Sequence, residues 1–354
     1  MLFPANIHPM RIIVLLIIFF ALKARASGFE TYDGSQKSAW DSANHPAILI
    51  KNPDTHFPSL PLSASLEHER TLWSDSYWPR NSGGIARRWQ DLSGTVKYKI
   101  LSEKQARALS ESDIAKLSPA EKFDLLQDDY SFSFTSKVKR QNPLNRPDWE
   151  GICHGWTQAS VHHEQFSPVN LKNKSGKEIR FASSDVAALI SYYYARVGGG
   201  RVHFLGRRCK ENAGNTSIKC TDMNAGAFHV VLTNRLREKK SFIMDLDPYR
   251  HVWNFPVLGY ETRVLEEHVP QPGSAKGTVK EILVSTKLFY AQETGPEWNP
   301  PLRVPGFKDY WYYLELDSSE KIIGGSWSDA NHPDFAWASD PVKIPSPYSV
   351  FITQ

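Results

Sequence analysis

The hydrophobic period of this 354-residue chain changes once, from a helical pattern to an alternating one, and that order limits the folds available to it. Residues 118–121 (SPAE) form a capping box with proline at the first helical position. A second helix is predicted before Gly198, capped by Ser183 or Ser184 and with Asp185 in its first turn. From residue 226 onward the period is two. Helices followed by strands predict an α+β fold with an antiparallel sheet.

Two runs after residue 226 predict a β-hairpin. FHVVLTN (228–234) and SFIMDLD (241–247) are rich in β-forming residues and are separated by the charged segment RLREKK. A turn centred on Arg237 places His229 opposite Asp245, on one face of the sheet. A shift of the turn by one residue brings Asp247 opposite instead. Three further strands are predicted at residues 279–291, 310–317 and 321–327.

The first 26 residues have the pattern of an export signal. Arg11 precedes an apolar run over residues 12–22, and residues 24–26 (ARA) supply a small-x-small cleavage site. The run has eleven residues, whereas a membrane span needs about 20. We therefore predict a cleaved signal peptide, a secreted or periplasmic protein and no stable membrane insertion; an uncleaved anchor is the alternative. Cleavage lowers the formal net charge from +4 to +1. A mature chain with so little excess positive charge is not expected to bind nucleic acid.

The three cysteines divide into a pair and a single thiol. Cys209 and Cys220 bracket the polar loop KENAGNTSIK, and in an oxidising compartment this arrangement predicts a disulfide. A metal site is the alternative, but the chain has no CxxC and no paired histidine spacing there, so no metal is predicted. Cys153 is left over, which indicates either an intermolecular bridge or a free reactive thiol.

Cys153 lies in DWEGICHGWTQAS, where a helix is predicted to begin at about the cysteine. A helix N-terminus and a neighbouring imidazole both favour the reactive thiolate. The predicted hairpin supplies His229 as the base and Asp245 as the acid that orients it, with Asp247 in reserve. The alternative is that the cysteine and the histidine are ordinary core residues.

Several motifs resemble one known family, in the same order along residues 70–340. WEGICHGWTQAS, MNAGAFHVVLTN, SFIMDLDPYRHVWNFPVLGYE and LELDSSEKIIGGSWSDANHPDFAW resemble the secreted transglutaminase-elicitor family of oomycete plant pathogens and bacteria, as do SYWPR and LSPAEKFDLL upstream. The resemblance implies a papain-like transglutaminase core with Cys153 as nucleophile, His229 as base and Asp245 as orienting acid. The implied activity is acyl transfer from a glutamine side chain to a lysine or another primary amine.

One departure from the papain pattern concerns the oxyanion. A papain-type glutamine six residues before the cysteine is missing, because position 147 is proline. This argues against an ordinary papain-like protease and leaves one oxyanion donor to find beside the Cys153 backbone N–H. Trp149 and Trp78 are the candidates. No cofactor is predicted; the chain has no EF-hand spacing, and a calcium requirement is left open.

The sequence thus predicts four segments: a signal peptide (1–26), an irregular arm or possible propeptide (27–70), an N-terminal helical region (71–140) and a transglutaminase-like catalytic core (141–354). The leading function is an exported protein-glutamine gamma-glutamyltransferase that passes its acyl group to a primary amine or to water. Its partners would be a glutamine-containing protein and an amine. The alternatives are a papain-like protease or amidase, a glutamine deamidase, and a non-enzymatic surface-binding protein or elicitor.

Overall fold

The computed structural model describes residues 40–67, 69–91, 96–208, 223–249 and 251–352. The predicted signal peptide, Cys209 and Cys220 lie outside these residues. Within the described ranges there are seven α-helices and ten β-strands. The helices are α1 (Glu103–Arg107), α2 (Glu111–Ala115), α3 (Pro119–Leu126), α4 (Ser133–Gln141), α5 (Cys153–His162), α6 (Ser183–Arg196) and α7 (Ala225–Arg237). The strands are β1 (Ser63–Ser65), β2 (Val169–Lys172), β3 (Glu178–Phe181), β4 (Val202–Gly206), β5 (Ile243–Asp245), β6 (Asn254–His268), β7 (Lys280–Ala291), β8 (Pro305–Leu316), β9 (Ile322–Trp327) and β10 (Phe335–Ser339).

The larger sheet of the described residues has eight antiparallel strands. Seven follow the order β4-β10-β5-β6-β7-β8-β9, and β1 pairs separately with β6. Strand β6 matters most for the site, because its first residue, Asn254, faces Asp245 of β5. The predicted combination of helices with an antiparallel sheet is confirmed. No helix among the described residues is long and apolar enough to cross a bilayer.

The predicted hairpin is wrong, because residues 225–237 form α7 instead of a strand. Asn224 starts this helix by accepting hydrogen bonds from the backbone N–H groups of Gly226 and Ala227. Nearly every side chain of α7 is buried. A helix that is buried all round shows a continuous apolar run, and periodicity alone cannot distinguish such a run from a buried strand.

Two of the three predicted helix starts, those of α3 and α6, had different outcomes. The capping box at residues 118–121 is confirmed: the Ser118 hydroxyl accepts from the Glu121 N–H, and the Glu121 carboxylate accepts from the Ser118 N–H. The cap of α6 is Ala182, so the predicted serine cap is wrong. Asp185 accepts the Ala182 N–H at 2.8 Å, so its predicted place in the first turn of the helix is correct.

Candidate active site

Cys153 is the first residue of α5, as its sequence predicted. The thiol is free and 6% exposed. Among the residues that the structure describes, no side chain caps this end of the helix. The N–H groups in the first turn of a helix have no partner within it, and they carry the positive end of the helix dipole. The sulfur therefore sits where a negative charge is favoured.

Two glycines allow the rest of the molecule to approach this helix end. A Cβ on Gly151 would lie 2.4 Å from the Tyr77 carbonyl oxygen, which accepts the Ile152 N–H at 2.8 Å. A Cβ on Gly155 would lie 2.1 Å from the Ser191 carbonyl oxygen of α6. Both distances are too short for any side chain. The small residues around Cys153 are thus required by backbone packing on both sides of the helix start.

The sulfur adjoins a cavity of about 200 Å³. This is smaller than the roughly 300–1000 Å³ typical of sites for drug-sized ligands, so it suits one side chain of a larger substrate. Arg80 on its wall is held by Glu150 at 2.7 Å. The lining residues are Arg80, Trp149, Glu150, Gly151, Cys153, His154, Arg196, Val252 and Asn254.

Strand β6 and the residues before it supply the polar contacts of the sulfur. The Asn254 side-chain amide lies 3.5 Å from Sγ, and Sγ lies 3.9 Å from the carbonyl oxygen of Val252. Burial raises the pKa of the Cys153 thiol, and the nearby charge of Asp245 adds to that rise. The Asn254 side chain and the backbone N–H groups of Asn254 and His154 lower the pKa. Sequence reasoning did not find Asn254; the signal was a polar residue between Trp253 and Phe255.

Asp245 lies beside this contact, since it faces Asn254 across the β5–β6 pair. One carboxylate oxygen accepts the Trp253 N–H at 3.1 Å, and the other is buried without a hydrogen-bond partner among the described residues. Burial raises the pKa of Asp245 to about 8. The carboxyl is therefore mostly neutral at pH 7. As it ionises at higher pH, its negative charge opposes ionisation of the Cys153 thiol.

Replacement of Asp245 by asparagine should lower the pKa of Cys153, because the competing negative charge is removed. The measurement is the pH dependence of iodoacetamide alkylation, followed on the peptide that contains Cys153. We expect the midpoint to move to lower pH, by about half a unit or more. Glu178→Gln, on the separate sheet of β2 and β3, is the matched control. A midpoint that stays constant or rises in D245N would contradict this electrostatic relation.

His229 is not at this site. It lies within α7, fully buried, and its Nδ1 is 2.8 Å from the Tyr312 hydroxyl. Its Nε2 has no partner among the described residues. Burial lowers the pKa of His229 to about 3, so the ring is neutral at ordinary pH.

The position of Tyr312 shows how far His229 is from the sulfur. The Tyr312 hydroxyl also bonds Thr286, which bonds Thr262 of β6. Thr262 is eight residues along the strand from Asn254, or roughly 25 Å at 3.3 Å per residue. The structure therefore brings Cys153 and Asp245 together and leaves His229 elsewhere, so the predicted contact between His229 and the sulfur is wrong.

The remaining predicted residues fall in different places. Trp149 lines the cavity and meets the ring of His251 edge-on, with centroids 5.7 Å apart. Trp78 is buried outside the cavity lining, and its indole N–H has no partner among the described residues. Asp247 accepts the Tyr249 N–H and lies 3.6 Å from the Lys308 ammonium.

Within the described residues, no group of three or more acidic, histidine or cysteine side chains could hold a metal.

Comparisons with known proteins found one family model and one solved structure that match most of the chain. A family model described as transglutaminase elicitor matches residues 53–279 and 303–350. The crystal structure of the GP42 transglutaminase from Phytophthora sojae superposes with a TM-score of 0.68 and 20% identity. The match covers 90% of this chain and 98% of that one, and at such an identity it shows a shared fold. The search of curated proteins found no match.

Proposed function

The chain belongs to the transglutaminase elicitor family, and from that premise we propose that it transfers acyl groups from protein glutamine side chains, with Cys153 as the nucleophile. The observation that carries the proposal is the sulfur at an uncapped helix start, on the wall of a cavity for one side chain. The helix of Cys153 against the sheet of Asp245 and Asn254 supports a papain-like arrangement of the core. The signal peptide predicted at residues 1–26 supports export of the protein before it acts.

The proposed reaction has two halves. The Cys153 thiolate attacks the carbon of the glutamine carboxamide to form a tetrahedral intermediate. The NH₂ group of that intermediate takes up a proton, and the C–N bond breaks to release ammonia and leave a thioester. A primary amine then attacks the thioester carbon, loses its proton, and displaces the sulfur as thiolate to leave an amide bond. Water in place of the amine yields glutamate. Backbone N–H groups at the start of α5 favour the oxygen charge that develops in each half.

We assign the proton transfer to His154 in place of His229. His154 lines the same cavity as Cys153, and burial lowers the pKa of its ring, so the imidazole is neutral and can accept a proton. Successive side chains of a helix point about 100° apart. The proton therefore passes through a water or a substrate atom in the cavity.

A matched pair of variants tests this assignment. His154→Gln should reduce amine transfer by about 100- to 10,000-fold, the usual contribution of a general acid-base group. His229→Gln should retain the rate per folded molecule, while it loses some stability because its ring is buried against Tyr312. Initial rates and urea unfolding of both variants give the two readouts. The reverse pattern, with loss of the rate in H229Q alone, would restore the histidine of α7 as the base.

The function itself is tested with a glutamine-rich protein and a labelled primary amine. Product mass separates the possibilities: amine addition with loss of ammonia marks transfer, conversion of glutamine to glutamate marks deamidation, and new chain termini mark proteolysis. Enzyme treated beforehand with iodoacetamide is the control. A preparation with a rapidly alkylated Cys153 that forms none of these products would favour the non-enzymatic elicitor.

A further inference from the structure

Asn254 has a side chain that is fixed on one side and faces the nucleophile on the other. It is the first residue of β6 and is 5% exposed. Its Nδ2 lies 3.5 Å from the sulfur of Cys153, and its Oδ1 accepts the Trp337 indole N–H at 2.8 Å. The side chain thus connects the nucleophile with a tryptophan of β10.

The indole determines which end of the amide faces the sulfur. The two ends of an asparagine amide have nearly the same shape, but one accepts hydrogen bonds and the other donates them. An indole N–H only donates, so it selects Oδ1 and turns the NH₂ group of Asn254 towards Cys153. Trp337 is itself 3% exposed, pairs with Ile243 in the sheet and stacks on Phe204. The amide therefore presents a donor to the sulfur in a fixed orientation.

The direction of this donor matters because the sulfur is buried. A buried anion is costly unless hydrogen bonds compensate for the lost water. The opposite orientation of the amide would place its carbonyl oxygen, which carries a partial negative charge, against the thiolate, and the two would repel. The amide has two N–H groups, so a second donor can reach an oxygen bound next to the sulfur.

We propose that Asn254 is a catalytic residue that donates one hydrogen bond to the Cys153 thiolate and another to the oxygen of the tetrahedral intermediate, and that Trp337 is the positioning residue that orients it. When the C–S bond forms, the carbonyl π electrons move to that oxygen, and the amide N–H meets the new charge. The proposal rests on the proposed function. Asn254 would serve as the oxyanion donor that a papain-type glutamine provides six residues before the cysteine, where this chain has Pro147. The sequence predicted Trp149 or Trp78 for that role.

Other titratable groups also face the sulfur, and the test must leave them unchanged. They are Asp245 of β5, His154 of α5 and Tyr77 of the preceding segment, with Arg80, Glu150 and Arg196 around the cavity. None of them is altered in the variants below. A shift in the alkylation profile of Cys153 therefore comes from the altered side chain itself, and W337F, which adds no charge, isolates the orientation of the amide.

The main test compares Asn254→Asp with the wild-type enzyme. This change keeps the shape of the side chain and the bond from Trp337, but it replaces the donor at the sulfur by a carboxylate oxygen. We expect the midpoint of Cys153 alkylation to rise by about one pH unit or more. We expect kcat for amine transfer to fall by about 100- to 1000-fold, as for loss of one oxyanion donor, with KM nearly constant.

Trp337→Phe is the second variant, and it removes only the N–H that orients the amide. The midpoint should move in the same direction by a smaller amount, because the amide can then turn either way. Trp311→Phe, on the exposed part of β8, is the matched control and should leave the midpoint unchanged. A purely structural role of Trp337 would lower the unfolding midpoint without a change in the alkylation profile.

The outcomes separate this inference from the proposed function. An unchanged alkylation midpoint in N254D overturns the inference, whether or not the wild type transfers amines. If N254D does not fold, an unchanged midpoint in W337F overturns it. If the midpoint rises in N254D but the wild-type enzyme transfers no amine, the proposed function and the oxyanion part of the inference are refuted, while the hydrogen bond to the thiolate stands.

Discussion

Amine transfer should fall by at least about 1000-fold when Cys153 is replaced by serine, the range seen when a catalytic nucleophile is removed. A serine hydroxyl does not ionise near neutral pH, so the donors around position 153 have no anion to stabilise. The change is nearly isosteric, and the α5 packing around Gly151 and Gly155 remains possible. The unfolding transition should therefore stay close to that of the wild type. Initial rates of labelled-amine incorporation and thermal unfolding measure the two effects.

The control for this variant lies on the same helix. Ser160 is fully buried in α5, and its hydroxyl has no hydrogen-bond partner among the described residues. Ser160→Ala removes one oxygen from the helix without reaching the cavity, so the transfer rate should be retained. A C153S enzyme that still incorporates the amine at a rate near that of S160A would refute Cys153 as the nucleophile.

Replacement of Lys122 by methionine should lower the free energy of unfolding by about 3–5 kcal/mol, the usual cost of breaking a buried ion pair. The Lys122 ammonium lies 2.5 Å from the Asp185 carboxylate, and both side chains are fully buried. The carboxylate also accepts the indole N–H of Trp89 and the backbone N–H of Ala182. With methionine at position 122, the buried Asp185 carboxylate would keep only these two neutral hydrogen-bond donors and would have no positive charge beside it. Urea unfolding measures the loss.

The matched control is a lysine at the surface. The side chain of Lys240 is 63% exposed and pairs with Glu238, which is 45% exposed. Exposed pairs contribute about 0–1 kcal/mol, so Lys240→Met should be nearly neutral. Equal stabilities of the two methionine variants would show that the buried pair contributes nothing beyond its packing.

Local signals in the sequence were sufficient for much of the fold. The capping box at residues 118–121, the helix start at Cys153 and the strands in residues 279–291, 310–317 and 321–327 each depend on a few neighbouring residues, and the structure contains all of them. The first strand of the predicted hairpin is wrong because nearly every side chain of α7 is buried, so the sequence there shows no clear one-sided helical pattern. The fifteen-residue strand β6 was not predicted, since Pro256 and Gly259 within it are typical strand breakers.

The candidate site depended more on contacts between distant parts of the chain. Cys153 could be identified from its helix start and from the other two cysteines, and Asp245 from its position after an apolar run. The role of Asn254 could not, because its contact with the sulfur spans 101 residues and requires β6 to lie beside α5. The choice of His229 depended on a strand pairing that does not form. A residue pattern can thus indicate which groups react, whereas tertiary packing decides which of them meet.

The segment before α1 has a consequence for shortened versions of the protein. The carbonyl of Tyr77 binds the N–H of Ile152 at the start of α5, and the N–H of Leu72 binds the carbonyl of Ser160 near its end. A fragment that begins at residue 141 would lose both of these hydrogen bonds, and also the Trp73 carbonyl that accepts the indole N–H of Trp156. The smallest polypeptide able to hold its sulfur in place therefore starts upstream of residue 72.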